Sequence, residues 1–168
     1  MKMTSCYNFA LIIGLGITTN TSVAMTTGQQ QQILLLHNIL RKQHAAPAMF
    51  WDHTLASYAA NHAARCEFKH SRGRFGENLA AGFPTPTAAI QAWYGEKQAY
   101  SFQFPRYSSG TGHFTQMIWK ASNKLGCATA RCNGKNGTPG EYLVCEYSPA
   151  GNVLSVEYFQ QNVVPPNA

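Results

Sequence analysis

Four cysteines constrain this chain more than any other feature: Cys66, Cys127, Cys132 and Cys145. A fifth, Cys6, falls in an opening segment that reads as a secretory leader. Lys2 gives that segment a positive start, Phe9 to Ile17 form an apolar run too short to cross a bilayer, and Ser22, Val23 and Ala24 stand where cleavage needs small residues. Residues 1–24 are therefore expected to be removed. The alternative is an uncleaved anchor, against which the threonines and Asn20 directly after the apolar run argue. Four cysteines in an exported chain imply two disulfides, with three connectivities open. A zinc site is the competing reading, but no two of the four are spaced C-x-x-C, and an oxidising compartment favours bridges.

Without the leader, 168 − 24 = 144 residues remain, the size of one domain, expected over residues 25–168. The 13 Lys and Arg fall to 12 when Lys2 leaves, against seven Asp and Glu, for a mature net charge of 12 − 7 = +5. The basic residues are scattered singly or in pairs, with no dense run, so a nucleic-acid partner is not expected. No other stretch is long and apolar enough to span a membrane.

The first half of the mature chain is helical in pattern. A helix starting near Gln31 sets Ile33, Leu36 and Leu40, with Ile39 one turn offset, on its buried side, ends in a cationic turn of Arg41, Lys42 and His44, and stops before Pro47. His37 and Asn38 inside it read as anchors for a neighbouring loop. A second helix follows Trp51, capped by Asp52 or Thr54, with Leu55, Ala59, His62 and Cys66 on one face. A third begins at Thr85-Pro86 and carries Ala89, Trp93, Glu96 and Tyr100 along one stripe. Glu96 thus shares an apolar face with Trp93, where a lone carboxylate needs a partner or a wet cavity.

From residue 113 the pattern changes to a period of two. "HFTQMIW", "LGCATARC" and "EYLVCEYS" read as three strands separated by turn-rich "KASNK" and "NGKNGTPG". Helices followed by strands predict an α+β fold in which helices cover a mainly antiparallel sheet. Asn136-Gly137-Thr138 is a glycosylation sequon in the second turn. The terminal "NVVPPNA" reads as a frayed tail.

Four polar residues are badly placed for a plain core: His70, Glu77, Glu96 and His113. Two imidazoles and two carboxylates from three segments can meet in one cleft, each histidine oriented by a glutamate or both facing an ion. His113 would then project from the start of its strand. The plainer alternative is that the tetrad only locks the three segments together by charge-assisted hydrogen bonds.

"GHFTQMIW", "GENLAAG", "HNILR" and "YSPAGNV", of which the GHFTQ and GEN motifs are highly specific, resemble the segments that mark the CAP superfamily of cysteine-rich secretory, antigen five and pathogenesis-related class one proteins. The likeness runs from His37 to about Val164 and is greatest toward secreted fungal and plant pathogenesis-related members. It implies a three-layer α-β-α sandwich with an open cleft lined by His70, Glu77, Glu96 and His113. It also implies the bridges Cys66–Cys132 and Cys127–Cys145. Metal binding by some members implies that His70 and His113 can take Zn²⁺ or another divalent ion, weakly and not as a required cofactor. Plant members carry a further cysteine pair before the GH motif, where this chain has "FPRYSSGTG", so that loop is less restrained.

In the same loop Tyr100, Phe102 and Tyr107 have the caveolin-type spacing that the resemblance associates with sterols, and Phe104 adds apolar surface. The leading expectation is a secreted protein that binds sterols or small lipids in export, defence or virulence, with the aromatic loop as one site and the tetrad cleft as another. The alternative is a hydrolase, such as a protease, using the tetrad with Ser71 or a metal-bound water, although no G-x-S-x-G elbow or H-E-x-x-H helix is present. A signalling partner on a cell surface or host protein is compatible with either.

Overall fold

The computed structural model describes residues 25–167; the leader expected over residues 1–24 lies outside them. Helix α1 spans Thr27–Lys42 and begins earlier than expected because Thr26 and Gln29 cap each other reciprocally. Its inner face is Ile33, His37, Leu40 and Arg41, and Ile39, expected inside, is 51 % exposed. Arg41, in the cationic last turn, is fully buried. Its guanidinium donates to the carbonyls of Pro47, Met117, Trp119 and Ser122 at 2.8 to 2.9 Å, collecting backbone acceptors that lack ladder partners. Asn38 does anchor a loop, exchanging two hydrogen bonds with the Met49 backbone.

Helix α2, His53–Ala63, is capped by Asp52, and α3, Pro86–Gly95, by Thr85. The third helical stripe is interrupted: after Gly95 the chain tightens into a 3₁₀ turn over Glu96–Ala99. The segment read as a first strand, from His113, is instead helix α4, Gly112–Ile118. Phe114, Thr115, Gln116, Met117 and Ile118 are all buried, and a segment enclosed on every side shows no helical period to read. Helix α5, Val156–Asn162, was not anticipated. The terminal segment is not frayed, since Val163 is buried, His44 bonds the Val164 carbonyl and the Asn167 amide donates to Gln43.

Four strands form one sheet in the order β1-β3-β4-β2, with β1 at Phe50–Trp51, β2 at Gly76–Ala81, β3 at Lys124–Arg131 and β4 at Glu141–Ser148. β3 and β4 match the expected strands. β1 and β2 were not read as strands, and β1 pairs parallel with β3, so the sheet is mixed with two antiparallel pairings. Leu125, Cys127, Leu143, Cys145 and Tyr147 face a core shared with α1, α3 and α4. The alternate residues Ala128, Ala130, Tyr142 and Val144 face α2. This is the three-layer α-β-α sandwich. The α2 layer lies so close that a Cβ on Gly126 would stand 2.2 Å from the Ala56 backbone nitrogen. Both disulfides are formed as the resemblance implied. Cys66–Cys132 ties the end of α2 to the end of β3, and Cys127–Cys145 joins residues directly opposite on β3 and β4.

Candidate functional site

Strand β2 organises the site because neighbouring residues on a strand point to opposite faces. Glu77 looks toward α2, where its Oε1 accepts from His70 Nδ1 at 2.6 Å and from the Ser71 amide at 3.0 Å. Asn78 looks toward α4, donating to the His113 carbonyl at 3.1 Å and to the Tyr147 hydroxyl at 3.3 Å. The second carboxylate comes from the 3₁₀ turn. Glu96 Oε1 accepts from His113 Nδ1 at 2.6 Å, and Oε2 accepts the His113 and Phe114 amides at 3.0 and 3.1 Å. Glu96 thus satisfies the open amides at the start of α4, which no side chain of Thr111 caps, while it orients the imidazole. Trp93 stacks on the other side of that imidazole with ring centroids 5.7 Å apart.

The tetrad therefore resolves into two histidine–carboxylate dyads. His70, Glu77 and His113 line one open cleft of about 700 Å³, with Glu96 behind His113. The floor is fastened by the rest of the GHFTQ segment. Gln116 accepts the Gly151 amide at 2.9 Å, and Thr115 and the Gly112 carbonyl are bonded by Asn152 at 2.6 and 2.9 Å. A Cβ at Gly76 would stand 2.0 Å from Gln116 Oε1, so a larger residue there would displace the side chain that holds the Gly151 amide.

The hydrogen bond from Glu77 chiefly, opposed by partial burial, raises the His70 pKa above 6.5. Burial pushes the Glu77 carboxyl up, but bonds from His70 and Ser71 outweigh it and hold the group well below the usual carboxylate range. Each imidazole has Nδ1 engaged by a carboxylate, leaving Nε2 as the ring nitrogen available to a ligand. Among the described residues no three His, Cys, Asp or Glu side chains are grouped to hold a metal ion. Ser71 gives its amide to Glu77, and its hydroxyl oxygen accepts from the Gly73 amide at 3.3 Å.

One residue of the site was missed in the sequence. Glu146 lies directly opposite Glu77 in the β2·β4 ladder and is fully buried. Its two oxygens have no donor among the described residues, and burial, reinforced by the Glu77 charge, pushes its carboxyl up to about 9. It therefore carries a proton at neutral pH and faces an anionic Glu77. A signal was present, because "EYLVCEYS" is apolar on both faces and leaves a carboxylate no wet side.

The four residues of the aromatic loop divide between the core, the solvent and the dyad cleft. Tyr100 is buried and packs edge to face on Phe102 and Phe114, while Phe102 is half-buried and stacked on His44 at 6.0 Å. Phe104 is 67 % exposed. Tyr107 leaves the other three and lines the dyad cleft, its ring 3.2 Å from where a Cβ on Gly112 would stand.

A mixed sheet between helical layers, with two histidine–carboxylate dyads held by GEN and GHFTQ segments, defines a CAP domain. Residues 34–147 match the CAP, cysteine-rich secretory protein family, and the chain belongs to it. It is 43 % identical over 148 residues to the secreted protein RBT4 of Candida albicans, covering 81 % of this chain and 40 % of that one. It is 37 % identical over 158 residues to pathogenesis-related protein 1 of Arabidopsis thaliana, covering 90 % and 96 %. In several fungal relatives it therefore spans only about two fifths to one half of the length. The crystal structure of NaASP2 with Zn²⁺ superposes with a TM-score of 0.65 at 28 % identity, covering 86 % of this chain and 88 % of that one. Relatives named as secreted proteins and two disulfides agree on an extracellular location. No helix among the described residues is long and apolar enough to cross a membrane.

Proposed function

We propose that the protein binds sterols or similar small apolar lipids outside the cell, at the loop from Tyr100 to Tyr107. The observation that carries this reading is the contrast within the loop. Tyr100 and Phe102 root it in the core beside Phe114, whereas Phe104 presents most of its ring to solvent. A rooted loop with an exposed aromatic tip offers apolar area to a flat ligand at little ordering cost. Labelled cholesterol or ergosterol binding to the Phe102→Ala/Phe104→Ala variant tests it, with affinity expected to fall at least about tenfold, or about 1.4 kcal/mol. Binding equal to wild type overturns the proposal. Loss in His113→Ala with the loop variant unaffected would move the ligand into the dyad cleft, where exposed Leu154 and Tyr107 provide apolar wall.

The dyads fit a secondary role as a weak site for a divalent ion. Two Nε2 atoms with carboxylate-fixed rings are borderline ligands suited to Zn²⁺, and only two protein donors point to low affinity.

A further inference from the structure

The sequon Asn136-Gly137-Thr138 lies in the connection between β3 and β4, on a 3₁₀ turn over Lys135–Gly137. Asn136 is exposed, with a left-handed φ of 51°, yet its Nδ2 donates to the Arg65 carbonyl at 3.0 Å. Thr138 is fully buried, and its hydroxyl donates to the Cys66 carbonyl at 2.6 Å. Both functional groups of the sequon are thus bonded to adjacent residues at the end of α2. The Cys66–Cys132 bridge clamps that end to the base of the same turn.

We propose that Asn136 carries an N-linked glycan, attached before the Cys66–Cys132 bridge closes, and that the closed domain shields any Asn136 left unmodified. In the transfer, Asn136 Nδ2 forms a bond to the anomeric carbon of an oligosaccharide. The bond from that carbon to a polyprenyl pyrophosphate breaks, the pyrophosphate leaves with the electron pair, and Nδ2 loses one proton. The transferase must reach the amide and the threonine hydroxyl together, and the folded turn withholds the hydroxyl. Timing sets the outcome. Cys132 precedes Asn136 by four residues, so bridge closure and sugar transfer become possible almost together as the chain emerges.

The folded domain tolerates the product. Nδ2 keeps one hydrogen after transfer, enough for the Arg65 carbonyl, and the exposed side chain leaves the sugar in solvent. The glycan also stays clear of the dyad cleft. The β3·β4 ladder runs eight residues from Arg131↔Glu141, beside the sequon, to Lys124↔Ser148, beside the cleft. At about 3.4 Å per residue this separates the two ends by about 24 Å.

The test has two arms. The full chain secreted from a yeast host is mapped by mass spectrometry before and after glycosidase treatment, with Thr138→Ala as the unmodified control. A glycan at Asn136 is expected, and its absence from the secreted protein overturns the proposal. Unmodified, oxidised protein is then offered to purified oligosaccharyltransferase with a lipid-linked oligosaccharide, beside the same protein after reduction. Transfer to the bridged form should be slower by on the order of tenfold or more, because it is limited by the fraction with the turn open. Equal transfer to both forms would overturn the shielding.

Discussion

Replacing Glu146 by glutamine should stabilise the protein at neutral pH, by an amount that grows with pH. The wild-type carboxyl is fully buried opposite Glu77 and pushed from 4.5 up to about 9 by burial and then by its neighbour's charge. Between those values the folded chain holds a proton that the unfolded chain has released, so stability is complete below pH 4.5 and declines as pH rises. The slope is about 1.4 kcal/mol per pH unit, which accumulates to about 3 kcal/mol between pH 4.5 and 7. Glu146→Gln keeps the shape and a donor toward Glu77 but removes the titration. Glu77 has the opposite sign: its depressed pKa contributes stability above 4.5 that is lost as pH falls through the folded value. Wild type should accordingly be most stable in mildly acid solution. Urea denaturation of both proteins from pH 4 to 8 measures the difference, expected near zero at pH 4 and about 3 kcal/mol in favour of the variant at pH 7. A constant difference across the range, or a variant weaker at every pH, would refute a proton-bearing Glu146.

Two further outcomes follow from the same geometry. Arg41→Ala should cost about 3 kcal/mol or more in chemical denaturation, because it strips four backbone carbonyls of a buried donor, and Arg41→Lys should restore little, lacking the planar fork. Zn²⁺ binding followed by calorimetry should be weaker in His113→Ala than in wild type. It should also fall as acidity rises, beginning above pH 6.5 because the His70 pKa is raised and the protonated ring cannot ligate; unchanged affinity in the variant would remove the ion from the cleft.

The sequence disclosed what local chemistry governs. Asp52 and Thr85 announced their helices by capping, and β3 and β4 by composition and bounding turns. It concealed whatever tertiary enclosure decides. Helix α4 is buried around its whole circumference, so its residues carry no stripe, and a run of seven is too short to show a period. Apart from Leu79, β2 is written in Gly, Glu, Asn and Ala, poor strand formers that adopt the conformation because β4 pairs with them. The dyads were legible through misplaced polar residues and the family resemblance. Glu146 was missed although its strand is apolar on both faces, because its partner Glu77 comes from a segment not read as a strand. The aromatic loop shows another limit: spacing grouped Tyr107 with Tyr100, and the backbone turned it toward the cleft.

The adjacent pair Glu77 and Asn78 makes β2 a common spine for both halves of the cleft, Glu77 holding the His70 imidazole on one side of the sheet and Asn78 the His113 backbone carbonyl on the other. A single inserted or deleted residue between Gly76 and Asn78 would exchange the two faces, sending the carboxylate toward α4 and the amide toward α2. The His70 imidazole and the His113 backbone carbonyl would each lose a partner at once. Length variation is therefore forbidden within these few residues yet permissible just beyond them, in the exposed turn from Gly82 to Thr85, where the strand has already delivered its two side chains.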